Sequence, residues 1–298
     1  MSDLLQILGL VLLSPLAQGT VQWVKALLQG RRGAPPWQPY RVLIRLFRRT
    51  SVWPDGSGPV MRLAPLVSLG AVLVAASGIP VFRAMPASEL LLALFALALA
   101  RFALGLGGLD AGTPFGGLGS SREMTVGALT EPVLLATALP FILVAGTTAW
   151  PSLIHVSLSI GLLNVVRLAA FGGLFLVLVV ETGRLPVDNP DTHLELTMIH
   201  EAMLLEYSGP ALATVSLAVW VKQLVLVALV ADMALPWHMG LGPDAIVWTL
   251  AKWAALAIAL GVAESLTAKL RFFRIPGYLG AAMAFSLSAV VLEVVGVR

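Results

Sequence analysis

Carboxylates are the side chains in this sequence most able to do chemistry, and their placement is uneven. Glu181, Asp188, Asp191, Glu195 and Glu206 fall within one polar stretch that also holds Arg184. Asp191 and Glu195 stand four apart, on one face if the segment is helical. Like charges there repel by a few tenths of a kcal/mol when exposed, and such a pair tends to share a proton or recruit a nearby arginine such as Arg184. Glu123, Glu131, Asp232 and Glu264 lie inside or at the ends of apolar runs, as do the cations Arg101, Arg167, Lys222 and Lys252. An unpaired carboxylate in hydrocarbon costs several kcal/mol, so each must be paired, neutral or wet. Carboxylates linked by water make a proton path, and the same groups fully paired make structural ion pairs. The residues leave both readings open.

Other chemistries are poorly supported. The chain has no cysteine, hence no disulfide, thiolate nucleophile or iron–sulfur ligand of its own. His155, His193, His200 and His238 are dispersed, and no metal-ligand spacing joins them. The glycine-rich segment Asp110–Met124 lacks the GK[ST] of a phosphate loop. It reads either as close backbone packing beside Arg122 and Glu123 or as a flexible turn. No catalytic residue, metal site or bound cofactor is expected, and no nucleic-acid partner.

Positioning these groups falls to long apolar helices. Of 298 residues, 58% are hydrophobic and only 12% charged, about half the usual charged share of a soluble domain. Mean hydropathy is +0.91. These values exclude a soluble enzyme and a disordered chain, and the unbroken apolar runs argue against a β-barrel. We expect an all-α polytopic membrane protein forming a single transmembrane domain over residues 1–298. Its eight spans run near Leu4–Leu28, Leu63–Pro80, Glu89–Leu109, Met124–Gly146, Ser152–Val180, Pro210–Asp232, Asp244–Ala268 and Gly277–Val295. Asn189 before Pro190 predicts a helix cap, opening an amphipathic interfacial helix over Pro190–Tyr207 in the third inner loop.

Thirteen of the nineteen basic residues fall on one side of this scheme, led by Lys25, Arg31, Arg32, Arg41, Arg45, Arg48, Arg49 and Arg62. Arg122, Arg184, Lys269, Arg271 and Arg274 complete the set, against Arg83 and Arg298 opposite. The positive-inside rule puts that side in the cytoplasm and both termini outside. The long loops share the inner side, which suits docking of a cytoplasmic partner, although ordinary solvated loops would look the same.

Four segments carry a resemblance: ETGRLPVDNPDTHLELTMIHEAMLLEYSG (Glu181–Gly209), GRRGAPPWQPYRVLIRLFRR (Gly30–Arg49), GGLGSSREM (Gly116–Met124) and VAESLTAKLRFFRIPGYLGAA (Val262–Ala282). Together they resemble the integral membrane subunit of formate hydrogenlyase and hydrogenase-4-type complexes. They are more distantly similar to the complex I subunit 1 family of respiratory NADH:quinone oxidoreductase. The resemblance implies the eight-helix fold of that family in a bacterial inner membrane. It implies a non-catalytic subunit beneath a [NiFe]-hydrogenase whose small and large subunits carry the [4Fe-4S] clusters and the NiFe centre. Antiporter-like membrane subunits would move protons or sodium. On matching positions, Glu131, Glu181, Asp188, Asp191, Glu195, Glu206 and Glu264 would form the proton path. Arg31, Arg32, Arg41, Arg122, Glu123 and Arg184 would organise the docking junction. The quinone enzymes typically read E-T-N-R-x-P-F-D where this chain has Gly183 and Val187, which favours the hydrogenase branch. A quinone-binding subunit is the alternative mechanism, and a stand-alone secondary transporter is a different class.

Overall fold

A computed structural model describes residues 2–79, 88–159, 164–188, 198–235 and 243–295. In chain order the helices are α1 (Ser2–Leu28), α2 (Gln38–Phe47), α3 (Pro59–Gly78), α4 (Leu90–Asp110), α5 (Pro114–Ala145) and α6 (Trp150–Ser159). They continue with α7 (Val165–Glu181), α8 (His200–Leu204), α9 (Gly209–Ala234), α10 (Pro243–Leu266) and α11 (Ile275–Val295). Among the described residues no sheet forms, only a single antiparallel bridge between Glu89 and Ala149. Seven helices among them, α1, α3, α4, α5, α9, α10 and α11, are long and apolar enough to cross a bilayer.

The expected span over 152–180 holds two shorter helices. α6 and α7 flank residues 160–163, which lie outside the described residues, and Asn164 caps α7 by accepting from the Val166 N–H at 2.8 Å. Of the expected interfacial helix, Asn189, Pro190 and the rest of its first half also lie outside them, as do His193, His238, Arg83 and Arg298. Its described part contains the short α8, which stops before Leu205.

Two segments read as loops are helical. Pro114–Glu123 forms the first turns of α5, where the Thr113 hydroxyl accepts from the Gly116 N–H at 3.1 Å and Pro114 opens the helix. Two of its glycines serve packing. Gly116 lies against the Gly108 carbonyl of α4, and Gly119 against Ala202 and Met203 of α8. The first inner loop contains α2, which buries Pro39 and Leu43.

α9 forms the centre. From Leu224 to Ala234 every residue is buried; all but Asp232 are apolar, as suits a central helix, and Asp232 Oδ1 lies 3.7 Å from Lys252 Nζ of α10. It packs against α1, α3, α7 and α10. Small residues set the close approaches, as in membrane bundles generally. Gly173 of α7 sits so near α11 that an added Cβ would come within 2.7 Å of Ser286 Oγ, and Gly261 of α10 packs on Val24 of α1. The α3 start is capped from outside itself: the Met61 N–H donates to Asp110 Oδ2 at 2.8 Å.

Candidate functional site

Two ion clusters sit between these helices and share one cavity. The first is built on Arg101, half-way along α4. Its guanidinium meets Glu131 Oε1 at 3.0 Å and Glu123 Oε1 at 3.4 Å, both from α5, and pairs closely with Glu181 at the end of α7. The other Glu181 oxygen takes Lys222 Nζ of α9 at 2.9 Å. The second is built on Glu264 of α10, which holds Lys25 of α1 at 2.8 Å through one oxygen and Arg184 at 2.8 Å through the other. Arg184 also donates to Gln18 at 2.5 Å and to Gln223 at 3.0 Å.

The backbone ties the two clusters together. α7 ends in a turn with the Gly183 N–H on the Val180 carbonyl and the Arg184 N–H on the Val179 carbonyl. That pair of bonds requires a left-handed residue just past the helix, and Gly183 supplies it at φ +59°. The turn sends Glu181 into one cluster and Arg184, three residues on, into the other. On α9 the adjacent Lys222 and Gln223 divide in the same way.

A cavity of about 490 Å³ joins the two clusters, reached by Arg101, Glu123, Glu181, Lys222, Arg184 and Asp188. Val42 and Leu46 of α2 and Leu212 and Trp220 of α9 give it an apolar wall. Lys222 lies about 20 Å along α9 from its Gly209 start, so the polar interior reaches deep into the bundle. With every group ionised, the Arg101 cluster carries two cations and three carboxylates, and the Glu264 cluster two cations and one carboxylate. The excesses are opposite and cancel.

Toward the inner loops, Asp188 accepts from the Ile199 and His200 N–H groups at 3.3 and 3.0 Å, with Lys269 Nζ 3.9 Å away. Burial lowers the Lys269 ammonium pKa; Asp188 opposes that shift and Arg122 adds to it. Glu206 accepts from the Thr113 hydroxyl. The neighbouring Tyr207 is held up at about 12 by burial and by the charges of Asp110 and Glu206.

The expected site residues thus divide. Glu123, Glu131, Glu181, Arg184 and Glu264 meet in the two clusters, while Asp188 lines the cavity between them and Glu206 pairs with Thr113 at the start of α5. Arg184 pairs with Glu264; Asp191 and Glu195 lie outside the described residues. Arg122 turns inward, donating to the Met198 carbonyl at 2.9 Å and lying 5.8 Å from the Phe272 ring centre. Arg31 and Arg32 line a polar mouth beside Lys25 and Glu264, whereas Arg41 lies on the outer face of α2. Gln223 was not singled out in the sequence. An amide next to a lysine inside an apolar helix is its only signal. Among the described residues no cluster of three or more metal-ligating side chains occurs.

The NADH dehydrogenase family model matches residues 3–295. Hydrogenase-4 component C of Escherichia coli (strain K12) is 34% identical over 286 residues, covering 91% of this chain and 89% of the relative. Formate hydrogenlyase subunit 4 of the same strain is 33% identical over 308 residues, covering 97% and 96%. In fold, the chain is similar to one in the membrane-bound sulfane sulfur reductase, an archaeal respiratory membrane complex. That match has a TM-score of 0.83, covers 98% of both chains and is 16% identical in sequence.

Proposed function

The chain belongs to the NADH dehydrogenase family, and from that premise we propose that it anchors a [NiFe]-hydrogenase module and couples its redox chemistry to proton or sodium translocation. It is a multi-pass membrane protein homologous to components of hydrogenase-4 and formate hydrogenlyase. The small and large subunits of the hydrogenase, which carry the [4Fe-4S] clusters and the NiFe centre, dock on the inner loops near Arg31 and Arg32, with the inward-turned Arg122 and Glu123 organising the junction from behind. Antiporter-like subunits lie beside it in the bacterial inner membrane, and both its termini face outward.

The observation that carries this reading is the charged cavity itself. Of the eight ionised groups in the two clusters, Arg101, Glu123, Glu181, Lys222 and Arg184 line it, inside a largely apolar bundle. Structural pairs alone gain little stability when buried. A charge change at the docked module acts strongly on such a network, because the dielectric is low and the groups are coupled. Glu131, Glu181, Glu264, Asp188 and Glu206 carry the proton path, with Asp191 and Glu195 at its entry from the third loop. Replacing Glu264→Gln in the assembled complex should cut proton uptake into vesicles by roughly tenfold, a loss of about 1.4 kcal/mol in coupling. Hydrogen turnover with an artificial electron donor stays at the wild-type rate. Undiminished uptake by an assembled variant would remove Glu264 from the path.

The cavity favours a second reading, a quinone-binding subunit. Its volume suits a small ligand, and Val42, Leu46 and Trp220 give it an apolar side. A short-chain quinone added to the complex oxidises the iron–sulfur clusters if that site is live.

A further inference from the structure

The outer face of α2 carries a charged surface that the coupling role does not use. Arg41, Arg45, Arg48 and Arg49 wall an open cleft of about 440 Å³ together with Ile44, and no carboxylate among the described residues lines it. All four arginines are exposed, and Ile44 and Phe47 beside them are 55% and 50% exposed. Spacings of three and four put Arg41, Ile44 and Arg45 on one side of the helix, and Arg48 at its C-cap and Arg49 just past its end complete the cleft. Pro39 and Leu43 are buried on the other, and Val42 and Leu46 wall the cavity.

The ends of α2 fix its depth. Tyr40 donates to the Leu12 carbonyl of α1, and Leu12 belongs to an exposed apolar stripe with Leu5, Leu8 and Leu16. Past the other end, the Thr50 carbonyl packs on Gly209, the first residue of α9, and the Val52 N–H donates to Ser208 Oγ at 2.6 Å. The helix therefore runs from a lipid-facing stripe to the inner boundary of the bundle, the level of the headgroups.

We infer that this cleft binds an anionic phospholipid, its phosphate held by the guanidinium groups and its acyl chain lying along Ile44 and Phe47. Planar guanidinium forks match phosphate oxygens, singly or in pairs. A basic helix with exposed apolar residues beside a membrane span fits an acidic lipid surface. Free phosphate would make no use of Ile44 or Phe47. An acidic protein partner would make no use of continuity with the Leu12 stripe. The assignment also separates Arg41 from Arg31 and Arg32, and it stands whether or not the coupling role holds.

The test offers the full-length chain equal phosphatidylglycerol and phosphatidylcholine and counts retained lipids by native mass spectrometry. Wild type should hold phosphatidylglycerol about fivefold over phosphatidylcholine, a preference that falls with rising salt. The R45Q/R48Q variant should approach parity. R45K/R48K, which keeps charge but loses the fork, should fall between, and R271Q/R274Q should match wild type. Unchanged preference in R45Q/R48Q, equal retention by wild type, or full displacement by inorganic phosphate overturns the inference. So does protection of these arginines from phenylglyoxal in the assembled complex when no anionic lipid is present.

Discussion

Gly183 joins the chemistry to the backbone, because its left-handed turn divides Glu181 from Arg184. A side chain in that conformation costs about 1–2 kcal/mol, and asparagine tolerates it better than most residues. Gly183→Val should therefore lower the thermal midpoint and disturb both clusters, while Gly183→Asn should fold as wild type; equal midpoints for the two variants would refute the strain argument. The same conformation accepts the asparagine typical of the quinone branch, so this position does not separate the two branches physically. Tyr207 sets a pH dependence. Burial, with Asp110 and Glu206, moves its hydroxyl from 10.0 to about 12. Between those values the folded chain binds the proton and the unfolded chain has lost it, so this contribution is full below pH 10 and disappears toward 12. Melting curves in detergent should show wild type losing more stability across that window than Tyr207→Phe. Parallel loss in both proteins would show that Tyr207 is not responsible.

Among the elements, the start of α5 shows how packing converts a glycine run into structure. Gly116 faces the Gly108 carbonyl so closely that a Cβ cannot fit, yet its neighbour Gly117 has nothing within 4 Å of the same added atom. Overpacking against backbone costs about 1–3 kcal/mol, and alanine for glycine in a helix gains roughly 0.5–1 kcal/mol. Gly116→Ala should therefore destabilise the chain and Gly117→Ala stabilise it slightly, as read by midpoints of thermal unfolding. Two changes of the same sign and size would argue against this account of the α4–α5 contact. The same contact holds Arg101 against Glu123 and Glu131, so the packing of this helix pair sets the geometry of the first cluster.

In the molecule as a whole, a central apolar helix carries a lysine and a glutamine at the meeting point of the two clusters. α9 serves both and contacts most of its neighbours. The orientation we propose is testable because the chain has no native cysteine. Phe273, 92% exposed at the start of the last span, belongs to the inner side, and the exposed Asp244 at the start of α10 to the outer. In right-side-out vesicles an impermeant maleimide should label Asp244→Cys and spare Phe273→Cys. The reverse pattern would invert the topology and move the docking face to the other side.

Composition and residue order were enough to specify the solvent, the helical class and the family resemblance. Low charge and long apolar runs can be read without coordinates, and a bilayer admits few backbone solutions for them. Glu131, Glu181, Glu264 and Arg101 were also legible as notable, since an ionised group in an apolar run is costly wherever it ends up. Which carboxylate meets which cation depended on the folded arrangement. Arg184 and Glu264 are 80 residues apart in sequence and Lys25 and Glu264 are 239 apart, so no local period could pair them. The division of the clusters between neighbours on α7 and α9, the helical start of α5 and the basic outer face of α2 depend likewise on contacts between distant elements. Low charge told where function had to be expensive, and the packing of α4, α5, α7, α9 and α10 settled what those charges could do together.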